Sequence, residues 1–286
     1  MTSLKTDAPP PAAADRPAPP SRSPLRAIGS VFGKLAAISE MDLRKLRRDP
    51  TELLTRAIQP ALWLMVFGQV FTRIRAIPTG HLRYLDFMAP GILAQSVLFI
   101  AIFFGISVIW ERDLGIVHKL LVTPTPRVVL VLGKGISAGV RALSQALIIY
   151  LLAWLLNVKV NWRPESLIGV LIAVILGADL FSTFSLIIAC IVKTRERFMG
   201  IGQVLTMPLF FASNAVYPIA IMPGWLKVIA HVNPLTYEVD ALRSMMVVGG
   251  SSMYGPAGPA MDLALLVAVT IVLTLIGAML YPRLAV

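Results

Sequence analysis

Six stretches of this chain, roughly 57–76, 87–110, 128–157, 166–192, 198–220 and 261–282, are apolar for about twenty residues or more. At 1.5 Å rise per residue, a helix of about twenty residues crosses the ~30 Å hydrocarbon layer of a bilayer. A chain that is 57% hydrophobic and 14% charged, with a mean hydropathy of +0.77, holds more apolar surface than a soluble core of this size can bury. In hydrocarbon each backbone amide must find its partner within the segment. The sequence therefore predicts an all-α membrane protein with six transmembrane helices.

The net charge of +11 does not argue for nucleic acid, because the basic residues lie between the apolar runs rather than in one patch. Lys5, Arg16, Arg22, Arg26, Lys34, Arg44, Lys45, Arg47, Arg48 and Arg56 precede the first run. Arg112, Lys119, Arg127, Lys193, Arg195 and Arg197 follow the second and fourth. The opposite side has Arg73, Arg75, Arg83, Lys159, Arg163, Lys227 and Arg243. Positive loops stay inside, so both termini are expected in the cytoplasm of a multi-pass protein of the cell's inner (plasma) membrane.

Residues 1–28, with the run TDAPPPAAADRPAPPSRSP, have no apolar periodicity and are expected to form a disordered cytoplasmic tail without a signal-peptide core. Residues 30–50 read as an amphipathic helix lying on the membrane surface. Val31, Leu35, Ile38 and Leu46 share one side, and Arg44, Arg47 and Arg48 lie largely opposite. The six runs and their connections then fill 51–286.

Between runs two and three, WERDLGIVHKLLVTPTPR sets Glu111, Arg112, Asp113, Lys119 and Arg127 around Leu114, Ile116, Val117, Leu120 and Leu121, and Pro124 and Pro126 end the pattern. This short amphipathic helix is either a solvated connector or a docking element, since so small a loop offers its apolar face no partner. Between runs five and six, MPGWLKVIAHVNPLTYEVDALRSMMVV (222–248) holds two helical patterns split at Asn233-Pro234, each too short to cross. A proline-started pair of this kind predicts a re-entrant or interfacial hairpin. Asn214, Tyr217, Asn233, Tyr237, Glu238, Asp240 and Arg243 stand there beside Met222, Trp225 and Leu226. They suit either an interfacial belt with helix caps or a gate.

Two charges interrupt the runs, Arg141 and Asp179. An unpaired charge at the bilayer centre costs several kcal/mol, so both should face protein or water. Their similar depth permits an ion pair, separate partners, or a role in the substrate path. Gly135 and Gly139 form a G-x-x-x-G that admits a close neighbour, more plausibly within the monomer than across a dimer. His81, His118 and His231 lie in three different connections, and Cys190 is the one cysteine, so neither a metal site nor a disulfide is expected. A Walker A loop is also absent: Gly133-Lys134 is followed by Gly135 and has Val128 at the first glycine position.

Four stretches together resemble the ABC type-2 permease family, which includes daunorubicin-type drug exporters and nodulation-factor exporters. They are RRDPTELLTRAIQPALWLMVFG, FMAPGILAQSVLF, ERDLGIVHKLLVTPTPR followed by LGK, and NAVYPIAIMPGWLKVIAHVNPLTYEVDALR, covering nearly everything from about 40 to 248. The resemblance implies that 111–127 is the coupling helix, seated in a groove of a separate nucleotide-binding subunit through Glu111, Arg112, Asp113, Gly115, His118, Lys119, Leu120, Leu121, Thr123, Pro124 and Arg127. It implies that 30–50 is the connecting helix. It also implies an outer gate built on Asn214, Tyr217, Pro218, Pro223, Trp225, Asn233, Pro234, Tyr237, Asp240 and Arg243. Two permease copies, expected to be identical, would pair with two ATPase subunits that bind ATP and magnesium, leaving this chain without a cofactor and without enzymatic activity of its own. Scarce intramembrane charge and abundant Phe, Met and Leu favour export of an amphipathic drug-like or lipid-like molecule. A lipid-linked glycan or lipo-oligosaccharide would fit the same features. An ion-coupled transporter would need internal repeats and midplane acids, of which Asp179 alone qualifies. A membrane enzyme would need a clustered catalytic set, and none is visible.

Overall fold

The computed structural model describes residues 58–74, 77–115, 117, 127–192 and 194–282. The tail at 1–28, the connecting helix at 30–50 and the loop residues His118, Lys119, Leu120, Leu121, Thr123 and Pro124 lie outside the described residues.

The described chain is helical, and it holds no β-strand. Helix α1 covers 58–74, opening its coil into a π segment at Trp63–Gly68 before the α-helical turn Gln69–Ile74. There follow α2 (Tyr84–Asp113), α3 (Arg127–Leu155), α4 (Pro164–Ile191), α5 (Arg195–Phe211), the short α6 (Gly224–Val232) and α7 (Pro234–Met246), and α8 (Gly258–Leu280). The helices α2, α3, α4 and the segment Gly255–Leu280 are long and apolar enough to cross a membrane. The structure thus supports four of the six expected spans by length.

The first of the remaining two is only partly covered by the described residues, and the fifth differs for a local reason. Helix α5 stops at Phe211, nine residues short of the expected 220, after 17 residues. Pro208 removes one amide from its ladder, and the chain then turns through 212–217, where the Ser213 hydroxyl accepts from the Ala215 amide at 3.3 Å.

Helix α4 is the axis of the bundle, packed against α2, α3, α7 and α8. Its buried face is built from small residues, among them Ala173, Gly177, Ala178 and Ala189, which let neighbours approach closely. A Cβ placed on Gly139 of α3 would touch Ile175 Cγ2 at 3.4 Å, and one on Gly135 would fall on the Asp179 carboxylate. The G-x-x-x-G therefore serves helix packing within the chain.

Buried side chains form a large core through the middle of the bundle and a smaller one at the end where α2 finishes and α3 begins. Val108, Ile109, Val131, Leu186, Val192, Phe198 and Tyr281 meet in the smaller one. Exposed apolar residues cover the outside, including Leu147, Leu151 and Trp154 on α3 and Ile271, Val272 and Met279 on α8. Such a surface belongs in lipid. The chain is a multi-pass membrane protein.

Candidate functional site

Two clusters of polar residues stand at the ends of the bundle, apart from those within the spans. At the loop end, α2 runs unbroken to Asp113 and stops where Gly115 takes φ +68°, a left-handed conformation that glycine adopts without penalty. The last turn of α2 is fastened to three other parts of the bundle. Glu111 pairs with Lys134 of α3. Asp113 accepts from Arg195 at the start of α5, at 2.6 Å, while that guanidinium lies 3.6 Å over the Trp110 ring. Arg112 donates to the carbonyl of Val192, just past α4, at 3.2 Å. Beyond the turn, Val117 is fully buried in the small core, whereas Leu114 is two-thirds exposed. Of the residues expected to dock a partner, Glu111, Arg112, Asp113 and Gly115 stand together at this root, and Arg127 begins α3. The sequence reading missed the helices' side of this arrangement, Lys134 and Arg195. An acid and a base 23 residues apart carry no periodic signal.

At the opposite end, two short helices, α6 and α7, meet at Asn233-Pro234, where the sequence divides the segment. Asn233 closes α6 and opens α7: its Oδ1 accepts from the Leu235 amide at 3.0 Å, and its Nδ2 donates to the carbonyls of Leu209 (2.7 Å) and Ala212 (2.9 Å) at the end of α5. Pro234 follows at the first helical position, where its missing amide costs nothing. Helix α6 leaves Trp225, Val228 and Val232 well exposed, while α7 is buried from Leu235 to Arg243.

Arg243 is buried over the Phe87 ring at 3.7 Å and donates to the carbonyls of Phe87 (3.2 Å) and Asn214 (2.7 Å). Pro90 breaks the hydrogen-bond ladder of α2 beside that carbonyl, and Gly91 lets the backbone of Ala215 come so close that an added Cβ would sit 2.4 Å from its oxygen. Asp240 accepts from Ser252 Oγ (2.6 Å) and the Met253 amide (2.8 Å). Tyr237 donates to the His231 carbonyl at 2.6 Å, and Tyr217 to that of Phe211 at 2.6 Å. Pro218 and Pro223 flank the turn at Ile219–Ile221. Arg83 holds Asp86 through two bonds of 2.9 and 2.8 Å, and that hydrogen bond keeps the guanidinium charged above its ordinary range. Asp86 also accepts from the Lys159 amide, which joins the α3–α4 connection to α2.

Arg141 and Asp179 do not form the ion pair that their similar depth allowed. Asp179 lies against Gly135, with Oδ1 buried and without a hydrogen-bond partner among the described residues. Arg141 is six residues on from Gly135, which turns it to another side of α3, where it lies 5.3 Å from the Phe104 ring and lines a cavity. Two further acids are buried: Glu238, beside Gly177, and Asp262, at the start of α8, which the sequence reading did not single out. Among the described residues no group of histidines, cysteines and acids could hold a metal ion.

Helices long enough to cross a membrane, ion pairs at the root of the α2–α3 connection and the buried helix α7 at the other end make up a multi-pass membrane bundle. The sequence profile described as ABC-2 type transporter matches residues 34–247, and the chain belongs to that family. It is 30% identical to a transport permease, ycf38, of Cyanophora paradoxa, over 70% of this chain and 69% of that one. It is 24% identical to the daunorubicin resistance ABC transporter permease protein DrrB1 of Streptomyces coeruleorubidus, over 69% of each chain. The inner membrane transport permease YadH of Escherichia coli (strain K12) is likewise 24% identical, over 67% of this chain and 73% of its own. Membership implies an ABC ATPase as partner.

Proposed function

We propose that this chain is the permease subunit of an ATP-driven exporter, and that the loop at 111–127 is where a separate ATPase subunit pushes on it. The observation that carries the reading is the root of that loop. A displacement there reaches α3 through Glu111–Lys134, α5 through Asp113–Arg195 and the end of α4 through Arg112, so one short element acts on three helices at once. Two copies of the permease and two of the ATPase make the working unit, with ATP and magnesium held by the ATPase alone.

In this reading α1 and α5 complete six crossings, both termini lie in the cytoplasm, and the protein sits in the inner (plasma) membrane. The hairpin of α6 and α7 re-enters from the outer side and closes the pathway. The 30–50 helix rests on the inner surface, with the 1–28 tail free in the cytoplasm. An amphipathic drug-like or lipid-like molecule moves outward from the cytoplasm or inner leaflet. The name of the daunorubicin-resistance relative supports such a cargo. A lipid-linked glycan or lipo-oligosaccharide is the second candidate, and stimulation of ATPase activity by drugs against glycolipids in liposomes separates the two.

The test is affinity purification of the full chain in mild detergent. The wild type should bring down an ABC ATPase, and Leu120→Asp with Leu121→Asp should release it while the bundle unfolds at the same temperature. Undiminished co-purification would overturn the docking assignment.

A further inference from the structure

Near the middle of α4, Glu238 of α7 rests its carboxyl group on Gly177. A Cβ added there would fall 2.3 Å from Cδ, 2.3 Å from Oε1 and 2.5 Å from Oε2, so the missing side chain is the space the carboxyl fills. Glu238 is fully buried, and neither of its oxygens has a hydrogen-bond partner among the described residues. It differs in this from Asp240 of the same helix, which accepts from Ser252 and from the Met253 amide.

The helices packed against α7 are α2, α4, α6 and α8. Their charged groups do not neutralise Glu238. Helix α4 contributes Asp179, whose carboxyl lies against Gly135 of α3, and α8 contributes Asp262. Asp86 of α2 is held by Arg83. Lys227 and His231 of α6 are not buried. On α7 itself, Arg243 is directed at the carbonyls of Phe87 and Asn214, and Tyr237 at that of His231. An ionised carboxylate offers about four lone-pair sites, and burying it with no donor costs far more than burying the neutral acid. Burial alone accordingly pushes this carboxyl well above the ordinary carboxylate range.

We propose that the α4–α7 seam is a proton-binding site whose occupancy follows the position of α7. Seated on Gly177, Glu238 holds a proton as the neutral acid. When α7 lifts and water enters, the carboxyl gives that proton to the water and becomes a hydrated carboxylate; reseating takes one proton back. Acid therefore holds the seam closed and alkali favours its opening. That α7 moves during transport rests on the reading of α6 and α7 as the outer gate, whereas the site itself belongs to the chain at rest.

Thermal unfolding of the full-length chain in mild detergent, without ATPase, nucleotide or cargo, tests it. Wild type is compared with Glu238→Gln, whose amide imitates the neutral acid. In the unfolded chain Glu238 titrates at its ordinary value and in the seated state well above it. The stability it contributes is thus complete below the ordinary value and is lost as pH rises toward the raised one. From about pH 5.5 to about pH 8.5 the unfolding temperature of wild type should fall by about 5 °C or more relative to Glu238→Gln. Glu238→Leu, which also cannot titrate, should show the same relative change and serves if the glutamine variant does not fold. The change should persist in an Asp262→Asn background and shrink in Gly177→Ala, where the added methyl group displaces the carboxyl. A gap between wild type and the non-titrating variants that stays constant with pH would overturn the site. So would its disappearance in Asp262→Asn, and an undiminished gap in Gly177→Ala would overturn its tie to α4. Because no ATPase takes part, failure here leaves the coupling loop untouched, and loss of the ATPase partner leaves this result standing.

Discussion

The two ends of the bundle use polar groups in opposite ways. At the hairpin end the groups are buried and directed at backbone atoms from distant parts of the chain, as Arg243 is at Phe87 and Asn214, and Asn233 at Leu209 and Ala212. At the loop end they are partly exposed ion pairs between side chains: Asp113 and Arg195 keep 39% and 33% of their side-chain surface in contact with solvent. A buried group that loses its partner pays the full desolvation cost, whereas an exposed pair can part for about 1 kcal/mol or less. The hairpin end is therefore the stiff end and the loop end the compliant one. Under the proposed coupling, a push at the loop would rearrange the near ends of α2, α3 and α5 and pivot them against the stiffer end.

Arg243→Ala should break the stiff end most severely. It orphans two buried carbonyls and removes the stack on Phe87, a loss of about 3 kcal/mol or more, visible as a lower unfolding temperature in detergent. Gly177→Ala should cost about 2 kcal/mol in the same assay, because the added Cβ would meet the Glu238 carboxyl at 2.3 Å where α7 docks on α4. Asn233→Ala, which removes the cap of α7, should cost about 1 kcal/mol. If any of the three left the unfolding temperature unchanged, the description of this end as a rigid framework would be wrong.

The loop end should behave otherwise. Arg195→Ala should cost under about 1 kcal/mol of stability, yet it should lower transport per ATP hydrolysed, because α5 then no longer follows Asp113. Molar salt should mimic part of that uncoupling and spare the hairpin. A variant that lost stability as heavily as Arg243→Ala, with transport per ATP unchanged, would erase the distinction between the ends.

Much of this architecture was legible in the chain. Helix α2 and the hairpin boundary at Asn233-Pro234 follow from apolar run length and from proline chemistry, both local properties. The end of α5 was not, because VYPIA continues the apolar run through a turn whose shape depends on α2 and α7. The root of the α2–α3 connection was read on one side only. Glu111 and Asp113 belong to an evident charged motif, but Lys134 and Arg195 acquire meaning only when α3 and α5 are set beside α2. The pairing of Arg141 with Asp179 failed for a similar reason: depth can be counted along the sequence, whereas the face each residue takes depends on how α3 rotates against α4. The cavity lined by Gln95, Ser96 and Ser107 was hidden in AQSVLFIAIFFGIS, where three polar residues look like small flaws in an apolar span.

The central claim is that the stretch between α2 and α3 meets the ATPase on the cytoplasmic side. In a Cys190→Ser background, Lys119→Cys in sealed right-side-out vesicles, treated with a membrane-impermeant maleimide before and after permeabilisation, tests it most directly. The account predicts labelling only after permeabilisation, with protection when the ATPase subunit is bound. Labelling of intact vesicles would place the loop outside the cell and contradict it.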